Sequence, residues 1–238
     1  MTFARWAEAV LDRLLPPLCL HCDAPLARAR PALCDVCLGA ITPLAGDGCR
    51  RCGLPRPGSP EECARCRDWP VVLTAVAATR HGGPAAAAVH ALKYRGWRHL
   101  ADACAPFMTT ALATHGVEPD LLVPVPLHSS RQRARGFNQA ELLAAALARR
   151  LGRPMALALA RDRATARQVG SSRAARLANV RGAFRCLQRF DPRETIALVD
   201  DVATSGATLA AAAAALSAAG ATRVVGVTFA LALDPYDR

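Results

Sequence analysis

The residues best suited to chemistry lie near the C-terminus, at 195–209, and read Thr-Ile-Ala-Leu-Val-Asp-Asp-Val-Ala-Thr-Ser-Gly-Ala-Thr-Leu. Residues 196–199 form an apolar run long enough for a strand that is buried on both faces. Asp200 and Asp201 follow it, then a loop of small residues, and then an Ala-rich segment at 209–219 that ends at Gly220, as helices commonly do. The pattern predicts a strand, an acidic pair, a small-residue loop and a helix, in that order.

Each part of this stretch suits one part of a ribose 5-phosphate. Small side chains let a phosphate approach the backbone N–H groups, and the start of the helix adds its donors and its dipole. Thr204, Ser205 and Thr208 offer hydroxyl donors, and the two carboxylates can accept hydrogen bonds from vicinal sugar hydroxyls. Parallel sheets bind ligands at the carboxyl ends of their strands, so we expect a sugar-phosphate site here. The alternative is an acidic turn that binds nothing; a nucleotide-triphosphatase loop or a dinucleotide fold would need glycine motifs that this stretch lacks.

Residues 199–208 closely resemble the phosphoribosyl pyrophosphate (PRPP) signature of type I phosphoribosyltransferases. The match runs position by position over Val-Asp-Asp-Val-Ala-Thr-Ser-Gly-Ala-Thr. Ser205 stands where Thr is commoner, which keeps the hydroxyl.

The composition indicates a globular protein with anionic partners. The chain has 238 residues, of which 52% are hydrophobic, and a formal net charge of +11. That length allows one ordinary domain with a small appendage, and the charge favours phosphates, nucleic acid or an acidic surface as partners. All basic residues but one are Arg, the exception being Lys93, so a general preference for Arg could explain part of the charge.

Residues 1–17 carry apolar side chains at helical spacing and predict a docking helix. The segment is too charged for a signal peptide and too short to cross a bilayer; contact with a membrane surface is the alternative. Since no other stretch is long and apolar enough to span a membrane, we predict a cytoplasmic protein.

Eight of the ten cysteines form four C-x-x-C pairs separated by eleven, eleven and ten residues. Two such pairs complete a tetrahedral zinc site, and a closed set of four thiolates leaves no position for a substrate. We therefore predict two structural zinc ions in consecutive zinc ribbons, although an interleaved pairing stays possible at this point. A disulfide framework is the alternative and would need an oxidising compartment. The predicted ligand sets are Cys19, Cys22, Cys34 and Cys37 for one zinc, and Cys49, Cys52, Cys63 and Cys66 for the other.

The remaining elements alternate between strands and helices. Strands are predicted at 71–79, 121–125, 155–160 and 222–233, and helices at 84–92, 100–114 and 138–151. Arg131, Arg133 and Arg135 follow the carboxyl end of the strand at 121–125, where they form either an anion site or a solvated basic turn. Residues 161–193 contain nine Arg and two Asp, and the first part of this segment is predicted to be mobile and to close over pyrophosphate.

Six motifs in the same order resemble the ComF family of competence proteins. They are the C-x-x-C ribbons, Leu-Lys-Tyr-Arg-Gly at 92–96, Pro-Val-Pro-Leu-His at 124–128, Arg-Gly-Phe-Asn-Gln at 135–139, Thr165 with Gln168, and the acidic signature itself. The resemblance covers roughly residues 16–232 and implies an α/β fold of the type I phosphoribosyltransferase kind, with a mostly parallel sheet and helices on both faces. The chain then divides into an N-terminal helix (1–17), a double zinc ribbon (18–68) and a phosphoribosyltransferase-like domain (71–238).

The resemblance implies PRPP with Mg²⁺ as the ligand and a role in natural transformation, in which single-stranded DNA and other competence proteins are partners. Asp200 and Asp201 are the expected catalytic residues, and Lys93, the only Lys, is expected to reach the ligand or to cap a helix. A protein that senses PRPP and binds nucleic acid without turnover is one alternative, and a nucleotide-salvage transferase with an unidentified acceptor is another. The expected PRPP-binding residues are Lys93, Arg131, Arg133, Arg161, Arg163, Thr165, Gln168, Val202, Ala203, Thr204, Ser205, Gly206, Ala207 and Thr208.

Overall fold

The structure is a computed structural model that describes residues 17–26, 32–44, 46, 48–49, 51–53, 63, 66, 73–163 and 179–232. The predicted helix at 1–17 lies outside the described residues except for Pro17. Thr165 and Gln168, with the predicted mobile segment around them, also lie outside them.

Four parallel strands form the central sheet, and two short antiparallel strands lie beside it. The strand order in the central sheet is β1-β6-β5-β2, and β3 pairs with β4. In chain order the strands are β1 Leu73–Arg80, β2 Leu121–Pro124, β3 Leu159–Arg161, β4 Phe184–Cys186, β5 Thr195–Ala203 and β6 Arg223–Leu231.

The helices connect these strands and cover the central sheet. In chain order the described helices are α1 Asp35–Gly39, α2 Gly83–Tyr94, α3 Leu100–Thr114, α4 Ser129–Arg135, α5 Gln139–Leu151 and α6 Ala207–Ala218. Helices α2, α3 and α5 pack on one face together with the first cysteine module, while α6 and the β3–β4 pair pack on the other. This confirms the predicted α/β class with helices on both faces.

The alternation of side chains along β5 explains this two-sided core. Ala197 and Val199 point into the cluster that contains α2, α3 and α5, whereas Ile196 and Leu198 point into the cluster that contains α6. All four are fully buried, as the continuous apolar run predicted. Gly226 on β6 lets α6 pack closely, because a Cβ there would lie 3.1 Å from a methyl carbon of Leu209.

The structure differs from the predicted elements at several places, and strand β4 and helix α1 were not predicted at all. Strand β5 continues to Ala203, so the acidic pair lies within the strand instead of after it. The predicted strand at 155–160 is reduced to β3, because Met155 makes only an isolated bridge to Leu122 at the sheet edge before the chain turns to pair with β4. The predicted basic turn after β2 is instead the short helix α4.

The first cysteine module shares its core with the central sheet. Cys19, Leu33 and Cys37 lie in the same buried cluster as Val89 and Leu92 of α2. Backbone contacts reinforce this packing, since the N–H of Leu44 donates to the carbonyl of Ala78 at 2.9 Å. Among the described helices, none is both long enough and apolar enough to cross a membrane.

Candidate functional site

The carboxyl ends of three neighbouring strands meet at one edge of the sheet. In the parallel register, Leu231 of β6 lies opposite both Arg80 of β1 and Ala203 of β5. The N–H of His81 donates to the carbonyl of Leu231 at 2.8 Å, and the N–H of Ala232 donates to that of Ala203 at 2.8 Å. The loop that follows β5 therefore lies beside the residues that follow β1 and β6.

The loop at 203–208 connects β5 directly to the N-terminus of α6. Gly206 is the N-cap residue with φ 75°, a left-handed conformation that glycine adopts without strain. No side chain caps the helix there, although the hydroxyl oxygen of Ser205 accepts from the N–H of Ala207 at 3.4 Å. The loop thus presents small side chains, the exposed residue Thr204 and the dipole of a twelve-residue helix at the carboxyl edge of the sheet, and such an arrangement can bind a phosphate group.

The two carboxylates of β5 occupy different environments, because consecutive side chains on a strand point to opposite faces. Asp201 is only 3% exposed and its Oδ2 lies 2.6 Å from Nζ of Lys93 at the end of α2. Its Oδ1 accepts from the N–H of Val202 at 2.9 Å. Burial and the charge of Asp201 together raise the pKa of Cys104 on α3, which places Asp201 on the face covered by α2 and α3.

Asp200 is less buried than Asp201 and has no cation in direct contact among the described ion pairs. Its Oδ1 accepts from the N–H of Asp201 at 2.8 Å. Burial and the adjacent Asp201 carboxylate raise the pKa of Asp200 to about 8, and Lys93 opposes this shift. Asp200 therefore keeps its proton to a higher pH than an exposed carboxyl does.

Two of the predicted pyrophosphate-binding arginines lie on the Asp200 side of the sheet. The guanidinium of Arg161 stacks over the ring of Phe184 at 5.1 Å. Burial and the positive charge of Arg131 lower the pKa of Arg161, while Asp200 opposes the shift. Arg161 therefore lies within electrostatic range of both Arg131 and Asp200, and the binding of pyrophosphate by these arginines stays a prediction.

The other two arginines that were predicted to bind are positioned differently. Arg163 donates to the carbonyls of Asn179 at 3.1 Å and Arg181 at 2.9 Å, so in this structure it bridges the two ends of the segment 164–178. Arg133 is exposed on α4 and makes no hydrogen bond or ion pair with any residue that the structure describes.

Eight of the ten cysteines form two sets of four, and within each set the sulfur atoms lie within 4.8 Å of one another. The sets are Cys19, Cys22, Cys34 and Cys37, and Cys49, Cys52, Cys63 and Cys66. Neighbouring C-x-x-C pairs therefore combine, and the interleaved arrangement does not occur.

The sulfur geometry of both sets fits zinc. Tetrahedral coordination with Zn–S bonds of about 2.3 Å places the sulfur atoms about 3.8 Å apart. The Cys22–Cys34 and Cys52–Cys63 sulfur distances are both 3.7 Å. Although burial opposes the effect, the backbone N–H groups of Cys34, His21 and Cys22 lower the pKa of Cys19 to about 6, which favours the thiolate that a metal binds.

Comparison with known proteins agrees with both parts of the molecule. Residues 10–67 match the family described as double zinc ribbon domain. The DNA utilization protein YhgH of Escherichia coli K12 is 35% identical over 217 residues, which cover 88% of this chain and 95% of that protein. Competence protein F of Haemophilus influenzae is 32% identical over 80% of this chain and 86% of that protein. The competence protein ComFC of Bacillus subtilis is 27% identical over 84% of this chain and 88% of that protein.

The chain belongs to the ComF family. A solved glutamine PRPP amidotransferase from B. subtilis, complexed with ADP and GMP, resembles this ComF-family chain at 21% identity with a TM-score of 0.38. That match covers 58% of this chain and 30% of the other chain. The fold assignment rests on the strand order and parallel register described above.

The ComF-family motif at 135–139 contains a positioning residue to which the sequence analysis assigned no role. Asn138 is 1% exposed, and its side-chain oxygen caps α5 by accepting from the N–H of Ala140 at 3.0 Å. Its amide nitrogen donates to the carbonyl of Val125 at 3.0 Å and to Glu141 at 3.1 Å. Asn138 thereby fixes the loop after β2 to α5, and an Asn at the start of the predicted helix was the available signal.

Proposed function

We propose that this ComF-family protein binds PRPP with Mg²⁺ at the carboxyl edge of the sheet and acts in the uptake and use of single-stranded DNA. The main support is that a small-residue loop at a helix N-terminus, a partly exposed carboxylate and two arginines lie together at this edge. The names of the relatives, which refer to DNA utilization and competence, support the biological role.

In this proposal the loop at 202–208 holds the 5-phosphate, with donors from its backbone and from Thr204, Ser205 and Thr208. Asp200 accepts a hydrogen bond from a ribose hydroxyl. Asp201 is less available to the sugar, because its Oδ2 pairs with the Lys93 ammonium and its Oδ1 accepts from the N–H of Val202.

Arg131 and Arg161 are proposed to face the pyrophosphate, whose negative charge matches theirs. Arg133, Arg163, Thr165 and Gln168 remain predicted contacts. Bound Mg²⁺ would neutralise part of the pyrophosphate charge, and Asp200, once it releases its proton, would offer the kind of hard oxygen ligand that this ion prefers.

The transferase reaction needs no covalent intermediate on the protein. A nucleophilic atom of the acceptor bonds to the anomeric carbon of the ribose, the bond from that carbon to the pyrophosphate oxygen breaks, and the acceptor releases a proton. Pyrophosphate leaves with the bonding electron pair. The chain's own residues contribute by orienting the sugar and by stabilising the charge that develops on ring and leaving group.

Thermal denaturation with PRPP and Mg²⁺ tests binding. A ligand at one hundred times its Kd stabilises the folded state by about 2.7 kcal/mol, which raises Tm by roughly 5–10 °C for a chain of this size. Asp200→Asn should remove most of this rise, because the amide has neither the negative charge nor the second acceptor oxygen of the carboxylate. Asp102→Asn is the matched control, since Asp102 forms an exposed ion pair with Arg149 away from the site. An equal ligand-induced rise in both variants would place the ligand elsewhere.

Release of pyrophosphate separates the enzyme from the binding-protein alternative. The measurement follows pyrophosphate from PRPP with and without candidate nucleobase acceptors or DNA. If the protein releases pyrophosphate and Asp200→Asn abolishes this release, the result supports a transferase. If PRPP raises Tm but no pyrophosphate is released, the result supports a PRPP sensor. The high positive charge motivates the proposed DNA partner under either alternative.

A further inference from the structure

Two basic segments, residues 90–99 and 128–137, meet on the outside of the sheet's carboxyl edge. The guanidinium of Arg135 lies over the ring of Tyr94 at 5.3 Å, and that of Arg98 lies over the ring of Phe137 at 4.9 Å. Arg98 also donates to the carbonyl of Gly136 at 3.5 Å. We call the surface formed by Tyr94, Trp97, Arg98, Arg135 and Phe137 the arginine–aromatic surface.

Among the described residues, no carboxylate forms an ion pair with the guanidinium groups of this surface. Neither segment contains Asp or Glu, and within the described residues Arg98 and Arg135 form no ion pair. Arg135 is oriented by Tyr94 and by the side-chain oxygen of Gln139. Elsewhere, arginines pair with acids, as in Arg149–Asp102, Arg153–Asp120 and Arg185–Asp162. The positive charge of the arginine–aromatic surface is therefore not neutralised by any carboxylate in the part of the chain that the structure describes.

Tyr94 and the neighbouring rings of His90 and His99 are more exposed than packing of the core would require. Tyr94 is 51% exposed and lies beside the ring of His90, with the centroids 4.9 Å apart. The Trp97 and His99 rings stack at 5.8 Å. Trp97 is partly buried against the small cluster around Leu100, so packing explains its presence at this position in part. Packing does not explain why an aromatic residue stands at the exposed position of Tyr94. Exposed rings and guanidinium planes together are what unpaired nucleobases stack on.

The arginine–aromatic surface adjoins the candidate ligand site through two elements. Tyr94 follows Lys93 directly at the end of α2, and Lys93 contacts Asp201. On α4, Arg131 and Arg135 are four residues apart and so lie on one side of the helix. A strand that crosses the surface would pass from Arg98 towards Arg131 and the edge where Asp200 lies.

We infer that the arginine–aromatic surface binds single-stranded nucleic acid, with phosphates on Arg98 and Arg135 and bases stacked on Tyr94 and the neighbouring rings. The inference rests on the proposed role in DNA use and adds where the strand binds. Single strands fit better than duplexes, because the bases of a duplex are already stacked on each other. An acidic protein surface would satisfy the arginines but would leave the exposed rings without a function.

Binding of a labelled oligodeoxythymidine over a range of salt concentrations tests the phosphate contacts. The variant Arg98→Ala with Arg135→Ala should bind more weakly, and the slope of log K against log salt should fall by about 1.4, since each phosphate contact on a single strand contributes about 0.7. The control is Arg150→Ala with Arg189→Ala, which removes the same charge from exposed positions near the opposite edge of the sheet. Equal weakening in both variants would mean that only overall charge matters, and no weakening in either would also overturn the inference.

The ring contacts are tested by Tyr94→Ala against Tyr94→Phe. Loss of one stacked base should weaken binding by roughly 5- to 150-fold in Tyr94→Ala, whereas Tyr94→Phe keeps the ring and should bind like the unchanged protein. If Tyr94→Ala has no effect and a duplex of the same length binds equally well, the surface attracts phosphates without stacking bases and the inference fails. Equal Tm values for all variants without ligand establish that each is folded.

The PRPP-induced rise in Tm, measured on the same variants, separates this inference from the proposed function. A variant of the arginine–aromatic surface that loses DNA binding but keeps the PRPP-induced rise in Tm supports both this inference and the proposed function. If PRPP does not raise the Tm of the unchanged protein, but the surface variants bind DNA more weakly than their controls, the proposed PRPP binding fails and the inference about the surface is supported. If the unchanged protein binds PRPP but no single-stranded DNA at low salt, the surface is refuted alone.

Discussion

The Lys93–Asp201 contact supports a quantitative prediction about the free energy of unfolding. We expect Lys93→Met to destabilise the protein, because it leaves the Asp201 carboxylate, 3% exposed, without the cation that lies 2.6 Å from it. Methionine conserves most of the side-chain volume and its apolar stem, so the change acts mainly on the charge.

The expected loss follows from how deeply each partner is buried. Removing one partner of a buried ion pair costs about 3–5 kcal/mol. The Lys93 side chain is 22% exposed, so water can enter when it is replaced, and the lower end of that range applies. At about 2–4 °C of Tm for each kcal/mol in a chain of this size, a loss of about 3 kcal/mol lowers Tm by roughly 6–12 °C.

Denaturant and thermal unfolding of Lys93→Met, Asp201→Asn and the double variant measure the pair. The double variant contains no unpaired buried charge, so we expect it to recover part of the free energy of unfolding. The expected interaction energy between the two positions is about 0.5–3 kcal/mol. Arg149→Met is the control, because it removes the cation of an ion pair whose side chains are 64% and 66% exposed. Such exposed pairs contribute about 0–1 kcal/mol.

If Lys93→Met changes Tm no more than Arg149→Met does, or if the two single effects simply add, the contact does not stabilise the fold. Lys93 would then be available to the ligand, as the sequence first indicated.

Three further predictions address the metal sites, the pH dependence and the choice of Lys. Elemental analysis of protein purified without added metal should give two zinc ions per chain, because two four-cysteine sets fit the ion; a folded, metal-free chain with disulfides would contradict this. The pKa of Asp200 is raised from 3.8 to about 8, so within that window the folded state holds a proton that the unfolded state has released. The unfolding free energy of the ligand-free protein should therefore fall as pH rises through that window, and an undiminished slope in Asp200→Asn would rule out this carboxyl as the cause. Lys93→Arg should weaken PRPP binding, since a planar guanidinium does not replace a compact ammonium, while Arg95→Lys at an exposed position should not; equal titration curves for the two would indicate that Lys93 is there by chance.

Local patterns predicted the features whose chemistry is contained within a few residues. A C-x-x-C pair needs only a tight turn to direct two thiolates at one metal, so the eight ligands were evident from spacing alone. The stretch from Ile196 to Gly220 was recognisable for the same reason, since an apolar run, small residues and an Ala-rich segment each determine local backbone structure. Helix α3 was predicted with its observed bounds, 100–114.

Contacts between distant residues could not be predicted in this way. The sequence analysis placed Asp200 and Asp201 together after the strand, but β5 extends through both, and its alternation sends them towards different faces. Asp201 consequently meets Lys93, which is 108 positions earlier in the chain, and Asp200 lies near Arg161. The contact of Arg163 with two backbone carbonyls is likewise determined by where the chain returns after the segment 164–178.

The sequence by itself thus determined the kinds of groups that are present, namely two sets of thiolates, an acidic pair before a loop of small residues, and an excess of Arg. The tertiary structure decided which of these groups interact: that neighbouring C-x-x-C pairs combine, that Lys93 neutralises Asp201 and not Asp200, and that Arg98 and Arg135 stack on rings. The physical reason is that residue type and spacing specify local conformation, whereas burial and charge pairing depend on which side chains the packed elements bring within a few ångströms of each other.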